Sequence, residues 1–146
     1  MKHWIAAIGW MLPAVLFGQA QWDTIILFQT YEQAPFRALA IQEDDYISYT
    51  ETVDGYTIVL NEAGEWCYAV RKGDDLVPSR VKVHDPIYRE EAEKRFLEKL
   101  PKHLRYGTDR INELKLEKLK LYDYEQYLRF RDALERMRKQ RNKSKK

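Results

Sequence analysis

The amino-acid sequence predicts an α+β fold: an antiparallel β-meander followed by a short helix and a long C-terminal helix. Three observations carry this. Residues 46–60 alternate in polarity around an Asp54-Gly55 turn. The period changes at Asp85-Pro86, and after Gly107 strong helix formers run on with opposite charges four residues apart. The resulting order is a signal peptide over 1–20, a β module over 21–84, a helix and linker over 85–106, a long amphipathic helix over 107–138 and a basic, disordered tail over 139–146.

The strands come first. Asp23 to Tyr31 contains the apolar run Ile25-Ile26-Leu27-Phe28, and Phe36 to Gln42 is a second candidate. In Tyr46 to Thr52, Tyr46, Ser48 and Thr50 fall on one side and Ile47, Tyr49 and Glu51 on the other, the pattern of a half-buried strand. Asp54-Gly55 supplies the positive φ angles of a tight turn, after which Tyr56, Ile58 and Leu60 alternate with Thr57 and Val59. Asn61-Glu62-Ala63-Gly64 turns the chain into Trp66–Arg71, and Lys72-Gly73-Asp74-Asp75 turns it again into Leu76–Val83. Every connection is short and local.

A helix starts at Asp85-Pro86, where Asp85 caps free amides and Pro86 fits the first helical position because its missing N–H has no partner there. Glu90 and Glu91 suit its positive end; Tyr88, Ala92, Phe96 and Leu100 share a face, and Pro101 stops it. Thr108 or Asp109 caps the longer helix, which reaches Arg138 with Glu125–Arg129, Asp132–Arg136 and Glu135–Lys139 as supports. Leu116, Leu119, Tyr127, Phe130, Leu134 and Met137 make one apolar stripe, and Leu114, Leu121, Tyr124 and Leu128 a second. One sheet face cannot cover both, so the second stripe docks on a partner or another copy, or else the helix lies in a groove between the first helix and the sheet. Leu114 to Tyr124 also alternates like a strand, but it lacks β-branched residues, which favours helix.

At the N-terminus, Lys2 and His3 precede an apolar run from Trp4 to Phe17 and the triplet Gly18-Gln19-Ala20. That is the order of a cleavable signal peptide. The run is too short for a spanning helix, which needs roughly 20 residues, and Pro13 interrupts it. The expectation is an exported chain, secreted or periplasmic, with no transmembrane segment after cleavage. Its single cysteine, Cys67, leaves no intramolecular disulfide to staple the fold. The net charge of +2 hides an asymmetry: Gln21 to Arg80 carries eleven acidic and four basic side chains, whereas Arg136 to Lys146 carries seven Lys or Arg and no acid. Such a tail has little to bury, and export argues against nucleic acid as its partner.

Chemistry-bearing motifs are scarce. His84 and His103 stand nineteen residues apart, with no HExxH, no metal-spaced cysteine pair and no Gly-rich phosphate loop. Asp44-Asp45 and Asp74-Asp75 read as turn formers. The sequence therefore points to no catalytic residue, no metal ligand and no cofactor, and to a protein that is not an enzyme. Cys67 reads as a small buried side chain; the sharper alternative is a thiolate that caps the zinc of a partner protease.

Residues 46–106 resemble the N-terminal pro-region of secreted, immune-inhibitor-A-like zinc metallopeptidases. The matching stretches are Tyr49 to Val59, Asn61 to Ala69, Leu76-Val77-Pro78-Ser79, His84-Asp85-Pro86, Phe96-Leu97 and Leu100 to Tyr106. The resemblance covers about half of the chain after residue 20 and implies a β-rich leader with a helical linker. The Tyr/Leu-rich helix and basic tail stand where the family's catalytic domain would begin, and none of its catalytic residues has a counterpart. The Gln21 to Gln33 segment also departs from the family pattern. The resemblance implies an exported binding module, an inhibitor or folding aid of another protein such as a secreted metallopeptidase; the alternative is an assembly subunit that self-associates through its long helix. Tyr56, Trp66 and Tyr68 on the β module, and Leu121, Tyr124 and Leu128 on the helix, are the candidate protein-binding residues.

Overall fold

The computed structural model describes residues 24–27 and 35–144, with side chains from 35 onward. The proposed signal peptide and most of the first predicted strand lie outside the described residues. Six strands form one sheet in the order β1-β2-β3-β4-β5-β6, and every neighbouring pair is antiparallel. They are β1 (Thr24–Leu27), β2 (Phe36–Gln42), β3 (Ser48–Thr52), β4 (Thr57–Leu60), β5 (Trp66–Lys72) and β6 (Asp75–Lys82). A 3-10 turn, Pro86–Tyr88, leads to α1 (Glu91–Leu97), and two further helices complete the chain, α2 (Thr108–Tyr122) and α3 (Tyr124–Lys143). The α+β class and its order are as the sequence predicts.

Alternation decides which face each strand residue covers. Phe36, Ala38, Tyr56, Ile58, Tyr68 and Val83 form a core on one face, closed by Leu97 with Phe96 and Leu100. Ile41, Ile47, Tyr49, Ala69 and Leu76 form another core on the opposite face, closed by Leu104, Tyr106, Ile111 and Leu114. The sheet is thus covered on both sides, by α1 on one and by the linker and α2 on the other. A buried aromatic or aliphatic side chain of this kind contributes roughly 1.5–3 kcal/mol.

The β3–β4 connection is a three-residue loop. Gly55 N–H donates to the Thr52 carbonyl at 2.9 Å and Thr52 N–H to the Tyr56 carbonyl at 2.9 Å. Gly55 has φ +93°, whereas Asp54 does not take positive φ, so the turn is not the two-residue type that an Asp-Gly pair suggests. At the β6 edge, Ala69 faces Pro78 and Cys67 faces Lys82, so Ser79, Arg80 and Val81 bulge opposite Tyr68. Val81 N–H is satisfied by Ser79 Oγ at 3.2 Å. A proline and a bulge blunt an edge strand against unwanted pairing.

The helical half differs from expectation in three ways. The helix predicted from Asp85-Pro86 is only a 3-10 turn there, and α1 starts at Glu91. The helix predicted over 107–138 is two helices broken at Asp123, whose φ of −149° leaves helical space. Asp123 caps α3 by accepting the Gln126 N–H at 2.9 Å, a role its side chain can take only at a helix start. The residues expected to form a disordered tail from 139 continue α3 as far as Lys143. Thr108, Asp109 and Asn112 share a cleft with Leu134, Met137, Arg138 and Arg141, while Lys115 and Leu119 share another with Gln126, Arg129 and Phe130. The start of α2 therefore lies beside the end of α3: the pair is an antiparallel hairpin with Leu119 and Leu134 buried. No helix among the described residues is long and apolar enough to cross a membrane.

Candidate functional site

Two buried carboxylates organise the polar groups. Glu51 of β3 is 1% exposed, and a buried carboxylate is tolerated only when paired. Its pattern places it on the face of Ile47 and Tyr49, under the linker that leaves α1. There His103 Nδ1 lies 2.8 Å from one oxygen and the Arg105 guanidinium holds the other. Arg105 also lies over the Tyr49 ring at 4.4 Å. His103 takes a left-handed backbone, φ 53°, and donates its N–H to the Gly55 carbonyl at 2.8 Å. A Cβ at Gly55 would stand 2.8 Å from the imidazole, so only glycine leaves room for this ring.

The second carboxylate, Glu93 of α1, is 6% exposed on the opposite side of the sheet. It accepts from the Tyr68 hydroxyl at 2.7 Å and sits 2.9 Å from His84 Nδ1. Burial, with this carboxylate beside it, pushes the Tyr68 phenol far above its ordinary value. Arg89 stands between the Tyr56 and Tyr68 rings and forks onto both oxygens of Asp54, at 2.5 and 2.8 Å. Burial acts to lower the Arg89 guanidinium, but Asp54 and Tyr68 together more than offset it and hold the group above its ordinary value.

Both histidines flagged in the sequence thus stand beside carboxylates, an arrangement that can orient an imidazole. The Glu51–His103 pair ties the linker after α1 to the sheet, and the Glu93–His84 pair ties α1 to the segment that leaves β6, which accounts for the burial of both carboxylates without any substrate. The missed residues are Glu51, Glu93, Arg89 and Arg105; only Glu51 left a signal, its place in the alternation with Ile47 and Tyr49. Among the described residues no group of three or more His, Cys, Asp or Glu side chains is arranged to hold a metal. The acidic doublets serve turns. Asp44 accepts from the Tyr46 and Ile47 amides at 2.8 Å each and bridges Lys115, and Asp74 accepts from Asp109 N–H at 3.0 Å.

The predicted binding residues separate into two groups. Tyr56 and Tyr68, 9% and 0% exposed, are core, which corrects their assignment as docking aromatics: their rings meet edge to face at 5.9 Å, and the Tyr56 hydroxyl donates to the Leu97 carbonyl. Trp66 is half-buried against the same core. Cys67 is buried, and burial pushes its thiol up, away from the reactive thiolate. At the hairpin apex, by contrast, Leu121 is 78%, Tyr122 83% and Tyr124 60% exposed, with Leu128 partly covered. Tyr124 stacks on Tyr127 at 5.5 Å, and Arg131 lies over Tyr127 at 5.8 Å. No family model matches the chain, and no curated protein or solved structure is significantly similar to it.

Proposed function

We propose that this protein is an exported, non-enzymatic binding module that acts on another exported protein, as its inhibitor or folding aid, and docks through the apex of the α2–α3 hairpin. The observation that carries the reading is the exposure of Leu121, Tyr122 and Tyr124 together at the tight junction between α2 and α3. Large apolar side chains grouped on a surface mark contact sites, and tyrosines are favoured there because they bury area at low entropic cost. The Tyr124–Tyr127–Arg131 stack supports it by ordering the apex before contact. The pro-region resemblance makes a secreted metallopeptidase the first partner to test.

The test is a titration of the purified protein against co-secreted peptidases, reading inhibition and refolding yield. Wild type is expected to alter one of them, and Leu121→Ser/Tyr124→Ser to lose the effect while keeping its far-UV circular dichroism. An inert wild-type protein against every such peptidase removes the reading. A second reading, an assembly subunit, is favoured by the same apex, since a second copy is also a protein partner.

A further inference from the structure

A second exposed apolar patch changes what the apex can meet. On the 3-10 turn, Ile87 is 75% and Tyr88 62% exposed. The platform beneath them is rigid: Tyr88 N–H donates to the Asp85 carbonyl at 2.8 Å, the Arg37 amide donates to the Asp85 carboxylate at 3.2 Å, and the next residue, Arg89, is forked onto Asp54. Val83 and Leu97, on either side of this turn in the chain, belong to the core on one sheet face, whereas α2 packs on the other. The molecule therefore carries two apolar patches on segments from opposite sides of its sheet.

Their charges are complementary. Residues 35–93 hold thirteen acidic and six basic side chains, and residues 108–144 hold eleven basic and seven acidic. Beside the 3-10 turn stand Asp85, which bridges Arg37 at 3.5 Å, Glu91, which bridges Lys94 at 2.9 Å, and Glu90, which forms no ion pair among the described residues. At the apex, Asp123 is occupied in capping α3 and Glu125 is bridged by Arg129, while Lys118 and Lys120 form no ion pair among the described residues. An apex-to-apex contact would crowd the lysines of both copies, whereas an apex laid on the 3-10 turn sets them against Glu90, in a segment, 85–93, that holds four acidic side chains and one basic.

We propose that the hairpin apex of one molecule docks, head to tail, on the Ile87-Tyr88 turn of a second copy. This rests on the reading of the apex as a docking surface and names its occupant. A contact between two different patches leaves one of each free at the ends of a dimer, so it continues into a ring or an open chain.

The experiment is sedimentation equilibrium of the purified protein over a wide concentration range, with two variants, Leu121→Asp/Tyr122→Asp and Ile87→Asp/Tyr88→Asp. All four positions are exposed, and far-UV circular dichroism verifies folding. Wild type is expected to grow beyond the dimer as concentration rises and to shrink at high salt. Each variant alone is expected to remain monomeric, and an equimolar mixture to double in mass and stop, because one intact apex meets one intact turn. A gentler pair, Lys118→Glu/Lys120→Glu and Glu90→Lys, is expected to weaken association alone and to recover it when mixed. Wild type that is monomeric throughout overturns the proposal while leaving docking to a different protein, or to anionic vesicles, as a separate result. An Ile87→Asp/Tyr88→Asp variant that still dimerises overturns it in favour of an apex-to-apex contact.

Discussion

The hydroxyl of Tyr68, wholly buried in the centre of the sheet, donates a 2.7 Å hydrogen bond to the carboxylate of Glu93 on α1. It joins the two layers by a buried polar contact, with Arg89 and His84 beside it, where a buried acceptor that loses its donor pays the desolvation cost. Tyr68→Phe is therefore expected to destabilise the protein by about 1–3 kcal/mol, since the ring still fills its site and only the donor is lost. Urea unfolding measures it, and an unchanged midpoint would show that His84 and Arg89 satisfy Glu93 without the phenol.

Gly55 is required twice, by its φ of +93° and by the His103 ring where a Cβ would be. Gly55→Ala is expected to cost about 1–2 kcal/mol for the backbone alone, with more from the collision. A cycle with His103→Ala separates the two terms: the double variant is expected to be more stable than the sum of the single losses implies. Simple additivity would mean that the ring moves aside freely.

Burial acts to raise the Asp54 carboxyl, but the Arg89 fork and a hydrogen bond from Thr52 together outweigh it and hold the group below its usual 3.8. A depressed folded-state pKa contributes stability that is present above the unfolded value and is lost as pH falls through the folded one. Stability is thus expected to drop as pH falls from about 4 into the strongly acid range. In Asp54→Asn that acid-side drop is expected to be smaller, although the variant is less stable at neutral pH. Denaturation midpoints measured across this range test it; parallel pH profiles for the two proteins would contradict the assignment.

Asp123 ends one helix and starts the next. Asp123→Ala is expected to cost about 0.5–2 kcal/mol, the usual range for a lost N-cap. Amide exchange should locate the loss in the first turn of α3, with the sheet amides unchanged. Faster exchange spread evenly over the chain would point to a global effect instead.

The sheet was the most legible part of the chain. Period-two alternation puts Ile47, Tyr49 and Glu51 on one side, and all three are buried. Phe36–Gln42 is a strand with the bounds read from the sequence. The helices were less legible, for physical reasons. Tyr88, Ala92, Phe96 and Leu100 recur every four residues, but a helix turns in 3.6, and the helix begins too late to include Tyr88. The face toward the core holds Glu93 and Leu97 together with Phe96 and Leu100 of the predicted stripe, while Ala92 is exposed. The break at Asp123 carries neither proline nor glycine, and its aspartate was indistinguishable from one more surface acid in a polar helix. For the same reason the pairing of Arg89 with Asp54 and of Arg105 with Glu51 was invisible: the partners are joined only by the fold, 35 and 54 residues apart.

Because each strand lies beside its nearest neighbour in the chain, no strand has to wait for a distant segment before it can pair. Assembly of the sheet needs only short loop closures, so it can advance hairpin by hairpin in the order of synthesis. The long-range ties are of another kind: Arg89 and His103 reach back to the β3–β4 loop and fasten the helical half onto the sheet.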